Sequence, residues 1–316
     1  MPESEKIDMK TDRKILLITQ KTRLEELVRR YNTFGQAKFY IEHHGGDFTD
    51  YQREHDVYQA AVTTAMEQLQ GFGRLQRLDR EHISNYMFGP EDLVIALGRD
   101  GLVANALKYL DGQGLIGVNP DPARWDGVLL PFAPGDLGKI LPEAARGQRP
   151  VQNVTLAQAT LSDGQILYAV NDLFIGQQTH TSARYELSQL QQREVQSSSG
   201  IIVSTGLGST GWFKSILAGA AGIARVCGGN PVILQEKFDK FATQLYYTVR
   251  EPYPSTSTGT SMVFGKIDAA SPLYITSCMP ENGVIFSDGM EADRLEFNAG
   301  AVATISIADR RGNLIV

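Results

Sequence analysis

The chain is poor in the residues on which the simplest functional readings rest. It has two cysteines, Cys227 and Cys278, in 316 residues. They allow at most one disulfide bridge and lack metal-ligand spacing, so a reducing, cytoplasmic setting is expected. The five histidines do not cluster: His43 and His44 sit in a glycine-bounded loop and His180 in a hairpin context, and no metal pattern forms. No stretch approaches the ~18 consecutive apolar residues of a membrane-spanning helix. The first residues, Met1 to Arg13, are charged and carry no apolar signal-peptide core. Positive charge is also scarce. With 30 Lys and Arg against 36 Asp and Glu, the net charge is −6, which argues against a nucleic-acid backbone as partner. No nucleic acid and no membrane are expected. A serine-hydrolase elbow is not present around Ser209 either, because position 207 is Leu where Gly-x-Ser-x-Gly needs its first Gly.

What is present is the texture of an ordinary globular protein, 42% hydrophobic and 21% charged. Its length points to two domains, since single cores stop growing at about 250–300 residues. Lys14–Thr19 reads as a first strand, followed by a helix with Leu24, Leu27, Val28 and Tyr31 on one face. Residues 51–70 read as a helix with Tyr51, Val57, Ala61, Met66 and Leu69 turned inward. Leu93–Leu97 is a fully apolar run of the kind found in strands buried on both faces of a parallel sheet. It ends in Gly98-Arg99-Asp100-Gly101. A helical pattern follows (Leu102, Val103, Ala106, Leu107, Leu110), then a second apolar run, Leu115–Val118. That is a βαβ unit with a glycine-rich turn. Prolines crowd the chain between Pro120 and Pro150, and helical periodicity weakens there. From residue 151 the sequence is rich in strands: 151–161, 165–174, 183–190, 200–204, 261–267, 273–277, 283–287 and 301–307. Turn signals stand at Ser162-Asp163-Gly164 and at 309–313, and one helix is expected at 211–226. The expected architecture is an α/β N-terminal domain with a parallel sheet, residues 1–125, and a β-rich C-terminal domain, residues 126–316, whose end returns to the first.

Four segments carry candidate chemistry. The first is the 98–101 turn. Glycines at the carboxyl end of a parallel strand let backbone amides approach phosphate oxygens, aided by the helix N-terminus. A carboxylate in such a turn would repel phosphate, so Asp100 fits a proton acceptor or a group facing a metal ion. The bland alternative is a helix-capping aspartate. The second is Asn171-Asp172, two polar residues interrupting an apolar strand; an amide beside a carboxylate can bond a vicinal diol such as a ribose. A strand end that solvates its own backbone is the alternative. The third is Ser197–Trp212, where a strand feeds a loop dense in glycine and hydroxyl groups. Thr205 and Ser209 can bond a nucleotide there, and Trp212 can stack on a base. Gly206, Gly208 and Gly211 match the dinucleotide fingerprint in letters, but without its first-βαβ context or its acidic residue ~20 positions on. The fourth is Asp288-Gly289, which reads first as a tight hairpin.

Taken in order, these segments resemble the NAD kinase family, in which a Gly-Gly-Asp-Gly-Thr turn, an Asn-Glu/Asp pair, a Thr-x-x-Gly-Ser loop and a late Asp-Gly follow one another. Here they are Gly98–Leu102, Asn171-Asp172, Thr205–Ser209 and Asp288-Gly289. The texture of 117–122 and 199–212 is closest to the mitochondrial-type branch. The resemblance implies a kinase whose N-terminal domain carries the phosphate turn and whose β-rich domain holds NAD, with the active site between them. ATP with Mg²⁺ would phosphorylate the 2′-hydroxyl of NAD's adenosine ribose to give NADP. By position, Asp100 is the general base, Gly98, Arg99 and Gly101 bind ATP phosphates, and Asn171, Asp172, Thr205, Ser209 and Trp212 bind NAD. No protein metal ligand is assigned.

Two positions depart from the family. Arg99 replaces its second glycine and brings a Cβ into the turn, although a guanidinium can itself clamp phosphate. Leu102 replaces its threonine and removes a hydroxyl. These departures motivate the alternatives: a non-catalytic dinucleotide-binding protein on the same scaffold, or a related kinase for another hydroxylated metabolite or a lipid. A dehydrogenase using Gly206–Gly211 is a weaker reading. A homo-oligomer is expected from exposed sheet edges.

Overall fold

A computed structural model of the chain describes residues 12–229 and 238–316. The chain forms two compact units, Met1–Gln152 with Asn313–Val316, and Asn153–Gly312. The division falls later than the first proline of the 120–150 stretch. The reason is packing: Phe132, Leu137, Ile140 and Leu141 belong to the core of the first unit.

In the first unit, β1 (Lys14–Thr19) leads into α1 (Arg23–Tyr31), α2 (Phe34–His43) and α3 (Phe48–Leu69), followed by β2 (Arg74–Asp79), β3 (Leu93–Leu97), α4 (Asp100–Leu107), β4 (Gly114–Val118) and α5 (Leu137–Ala145). Thr22 and Glu25 form a capping box that starts α1, satisfying amides the first helical turn leaves unpaired. The strands pair in parallel in the order β2-β1-β3-β4, and Asn313–Ile315 adds a parallel strand beside β4. All five residues of β3 are buried, as a strand covered on both faces requires. Each of its Leu, Val and Ile side chains is worth about 1.5–3 kcal/mol of burial.

The helix read at 51–70 begins at Phe48, after the Asp47 cap, and its phase differs from the expected one. Tyr58, Ala61, Val62, Ala65 and Leu69 form the buried stripe. Tyr51 instead packs on the small cluster of Leu24, Ala37, Ile41 and Phe48, Met66 lies at the margin of the main core, and Val57 is only half-buried. Sequence periodicity missed α2, α5 and β2, the last because it reads Arg-Leu-Gln-Arg-Leu-Asp and buries only Leu78.

The second unit contains β5 (Val151–Leu161), β6 (Ile166–Ala169), β7 (Asp172–Gln177), β8 (Ala183–Gln189), β9 (Gln192–Ser198), β10 (Ile201–Ser204), α6 (Trp212–Val226), β11 (Leu245–Val249), β12 (Phe264–Ile267), β13 (Leu273–Ser277), β14 (Gly283–Ser287), β15 (Met290–Glu296) and β16 (Val302–Ile315). One antiparallel sheet runs β12-β11-β10-β7-β14-β15. The other pairs β16-β13-β8-β9, with β5 beside β16 and β6 beside β5. Their inner faces interdigitate in one core that includes Leu173, Ile175, Ile201 and Val203 from the first sheet and Tyr185, Leu187, Ile275 and Ile305 from the second.

Two sequence expectations are corrected here. The single strand expected at 165–174 is two strands, β6 and β7, in different sheets; the chain breaks at Val170-Asn171 to pass from one to the other. The turn expected at 309–313 is continuous strand, because β16 runs to Ile315. Together these elements give the α/β unit with a parallel sheet and the β-rich unit that the sequence implies.

Candidate functional site

The order β2-β1-β3-β4 contains a topological switch at β1 and β3. The chain leaves β1 for one edge and resumes at β3 on the other side. Open α/β sheets bind ligands in the crevice outside the carboxyl ends of strands at such a point. Here the crevice is lined by Gln20, Lys21 and Thr22 after β1, Arg99 after β3, Pro120, Asp121 and Trp125 after β4, and Glu54 and Tyr58 from α3. Tyr58 holds its rim: the hydroxyl donates to the Leu97 carbonyl at 2.9 Å and accepts from the Gln20 amide at 2.9 Å. Burial pushes the Tyr58 phenol up to about 12, so it stays a neutral donor at physiological pH.

The crevice is nearly full, with room for about 20 Å³, roughly one water. Arg99 forms part of its lining. Its guanidinium lies 4.4 Å from the centre of the Trp125 ring and pairs with Glu54 at 2.9 Å. Glu54, 8% exposed, also pairs with Arg23 and lies 3.6 Å from Arg124. Asp50 binds Arg23 at 2.8 Å and also Arg124. The Arg124 and Arg23 guanidiniums beside it hold its carboxyl well below the usual carboxylate range. Asp121 lies 3.8 Å from Arg124.

Asp100 is the first residue of α4 and is half-buried. Its Oδ1 accepts the Leu129 amide at 2.7 Å, which folds the 120–130 loop back onto the turn. Asn119 helps, donating to the Trp125 carbonyl at 2.9 Å and accepting the Asp121 amide at 3.0 Å. Around Asp100, Gly98 is packed so closely that a Cβ would crowd Leu102 and Gln20, whereas Gly101 faces open space. Leu102 is a core residue, 1% exposed. A threonine there would lie in that core, so the missing hydroxyl is the cost of packing.

The second unit builds a different feature. Where β6 gives way to β7, the turn carrying Asn171 and Asp172 is held from two sides. Asp288 accepts amides from Val170 at 2.9 Å, Asn171 at 2.6 Å and Asp172 at 3.3 Å, and its own amide donates to the Asp172 carbonyl at 3.1 Å. Asp288 and Gly289 both have positive φ, 53° and 68°, the two-residue hairpin geometry expected of Asp-Gly. The hairpin aspartate is thus also a long-range clamp. From the other side, the Thr205 hydroxyl donates to the Val170 carbonyl and its amide to the Asn171 carbonyl at 2.9 Å.

Asp172 is half-buried beside Asp288. Burial, with the Asp288 charge adding to it, pushes its carboxyl up to about 7. The Thr205 hydroxyl is buried and committed inside the protein, so Thr205 positions the turn. Ser209 is half-buried and donates to the Gly206 carbonyl at 2.6 Å. Trp212 is half-buried at the start of α6, stacked parallel to Phe174 with ring centres 5.8 Å apart. The Arg250 guanidinium lies 5.0 Å from its ring. The glycines of this loop serve packing: a Cβ at Gly208 would overlap the Asn171 carbonyl, and one at Gly206 the Asp239 carbonyl.

Sequence reasoning therefore named Asp100, Asn171-Asp172, the 205–212 loop and Asp288, but missed Glu54, Asp50, Arg23, Arg124 and Tyr58. One signal was available: Glu54 and Tyr58 are one helical turn apart on the buried face of α3. Among the described residues no group of three or more His, Cys, Asp or Glu is placed to hold a metal, and no helix is long and apolar enough to cross a membrane.

An α/β unit with a switch-point crevice, followed by an antiparallel double sheet that displays an Asn-Asp turn, defines the class. No family model matches the chain and no curated protein matches it in sequence. Solved structures do. An NAD kinase from Archaeoglobus fulgidus, determined with ATP, superposes with a TM-score of 0.55 at 14% identity, covering 96% of this chain and 93% of that one. Yeast NADH kinase, determined with NADH, gives 0.54 at 15% identity, covering 97% and 84%. The chain has the fold of the NAD kinases.

Proposed function

We propose that the protein is an NAD kinase-like phosphotransferase that moves the γ-phosphoryl group of ATP to the 2′-hydroxyl of NAD's adenosine ribose. The observation that carries this reading is the clamped turn: three backbone amides converge on Asp288 and hold Asn171-Asp172 in one conformation. A turn that merely solvated its own backbone would need no such clamp. The likeness to a kinase determined with ATP and to one determined with NADH supports the choice of ligands.

In this reading Asn171 and Asp172 hydrogen-bond the ribose hydroxyls, with Asp172 ionised to accept from them. Asp100 takes the 2′-hydroxyl proton as the oxygen bonds to the γ-phosphorus and the bond to the β–γ bridging oxygen breaks, leaving ADP. A base in that role is worth about 10²–10⁴-fold. Mg²⁺ would arrive on the nucleotide, held mainly by phosphate and water oxygens, and would neutralise charge on the donor phosphates. Self-association and a cytoplasmic setting belong to the same proposal; light scattering reads the first.

A second reading is favoured by the occupied crevice. With Arg99 paired to Glu54 and stacked on Trp125, the same scaffold would bind a dinucleotide without phosphorylating it. Incubation with ATP, Mg²⁺ and NAD, followed by an NADP-specific dehydrogenase assay, separates the two. NADP formation that Asp100→Asn abolishes supports the kinase. NAD binding without NADP formation supports the second reading.

A further inference from the structure

The arginine cluster at the switch point has a composition that the kinase reading does not require. Three guanidiniums, Arg23, Arg99 and Arg124, surround one buried carboxylate, Glu54. Asp50 and Asp121 complete the set. Three guanidiniums thus face three carboxylates, while Lys21, which also lines the crevice, pairs with Asp79 and Glu81 outside the cluster. Glu54 differs from the other two acids: it approaches all three guanidiniums and stands on the buried stripe of α3, where an apolar residue would continue the pattern. A carboxylate buried among forked donors mimics a phosphate in charge and acceptor geometry. It occupies the place outside β1 and β3 where sheets of this order take their ligands.

Resting on the kinase-like reading of this fold, we infer that Glu54 is a resident anion. It holds Arg23, Arg99 and Arg124 in the free protein and is exchanged for a phosphate group when a nucleotide binds. Because the cluster is balanced, an anion enters only as a carboxylate leaves. Arg99 then acts as a phosphate ligand in place of the backbone approach that a glycine would permit, and it must turn off the Trp125 ring to do so.

The probe is inorganic pyrophosphate, titrated at low salt into the full-length protein. The chain has two tryptophans, so a W212F background leaves Trp125 as the reporter. Pyrophosphate should change Trp125 emission, bind E54Q at least tenfold tighter than its parent and bind R99Q at least tenfold weaker. If E54Q is poorly folded, pyrophosphate should raise its melting temperature by more than it raises the parent's. Equal affinity of parent and E54Q, or no binding to either, overturns the inference. Displacement of pyrophosphate by ATP or by NAD, followed by calorimetry in the protein that keeps Trp212, identifies which substrate supplies the phosphate, and displacement by neither overturns it as well. The NADP assay is scored separately. Anion exchange without NADP formation sinks the kinase and leaves the exchange standing; NADP formation without anion exchange does the reverse.

Discussion

Asp288 holds Asn171 by its backbone: the carboxylate oxygen lies 2.6 Å from the Asn171 amide, 117 residues away in the chain. The same carboxylate takes the amides of Val170 and Asp172. Removing it leaves three amides to find water or go unpaired. Asp288→Ala also forces a left-handed φ of 53° on a residue with no local polar compensation. We expect Asp288→Ala to cost about 2–4 kcal/mol of stability and to abolish NAD binding. Asp288→Asn tolerates the backbone and still accepts from Asn171, and should cost about half as much. Urea unfolding midpoints and calorimetric NAD titrations check both.

Asp172 makes stability and affinity depend on pH in opposite directions. Its folded pKa, about 7, exceeds the ordinary carboxylate value, so the folded state binds the proton more tightly than the unfolded one. Its contribution to stability is therefore fully present below about pH 4 and is lost as pH rises through 7. At roughly 1.4 kcal/mol per pH unit, the loss is on the order of a few kcal/mol. A ribose diol donates to the ionised form, so NAD affinity should instead rise between pH 6 and 8, with proton release on binding. Asp172→Asn should flatten both profiles. Denaturation at several pH values, and calorimetry in buffers of different ionisation enthalpy, read the two effects.

The sequence carried the second unit's turn more plainly than the first unit's crevice, and the reason is range. Asn171-Asp172 interrupts an apolar run, and such a break is visible within ten residues. Leu93–Leu97 and its glycine turn are equally local. Glu54, Arg99 and Arg124 lie on three separate elements that meet only after the parallel sheet has formed. Only Arg99 stood out locally, from its place in the glycine turn; nothing within a few residues of Glu54 or Arg124 marks them as its companions. The phase of α3 was misread for a related reason: Tyr51 and Met66 satisfy helical periodicity, yet Tyr51 packs on a satellite cluster that α1 and α2 provide. β9 and β15 were missed because Gln-Arg-Glu-Val-Gln and Met-Glu-Ala-Asp-Arg carry edge-strand polarity on their outer faces.

Asp100 can be tested as a base without disturbing its structural bond. The Leu129 amide needs an acceptor at Oδ1, and an asparagine oxygen supplies one. Asp100→Asn should therefore keep the melting temperature and NAD affinity while lowering NADP formation by about 10²–10⁴-fold. Asp100→Ala should lose the same activity and also loosen residues 125–130, seen as faster amide exchange at Leu129. Equal activity of wild type and Asp100→Asn would remove Asp100 from the chemistry.

Gly208 tests whether the glycine-rich loop serves packing or phosphate. Its Cα faces the Asn171 carbonyl so closely that any Cβ overlaps it, while Gly101 has open space beside it. Gly208→Ala should displace the Asn171 turn and cost about 1–3 kcal/mol, with NAD binding lost in step. Gly101→Ala should leave stability within about 0.5 kcal/mol, as surface changes away from special features do. If Gly208→Ala keeps full stability and loses only nucleotide affinity, the loop is a cradle after all.

Tyr58 ties the carboxyl ends of β1 and β3 together through one hydroxyl, donating to Leu97 and accepting from Gln20. Its ring fills the space beneath the crevice, so Tyr58→Phe keeps the packing and deletes only the oxygen. The Gln20 amide and the Leu97 carbonyl then lose their partner at the switch point. A cost of about 1–3 kcal/mol follows for a part-buried pair left unsatisfied. The ligand should feel the change as well, because Gln20, Lys21 and Thr22 line the crevice and their backbone is what the hydroxyl fixes. Pyrophosphate affinity should fall several-fold in Tyr58→Phe, while the second unit, probed by amide exchange at Asn171, stays unchanged. Faster exchange at Asn171 as well would mean that the hydroxyl supports the whole fold and not this crevice.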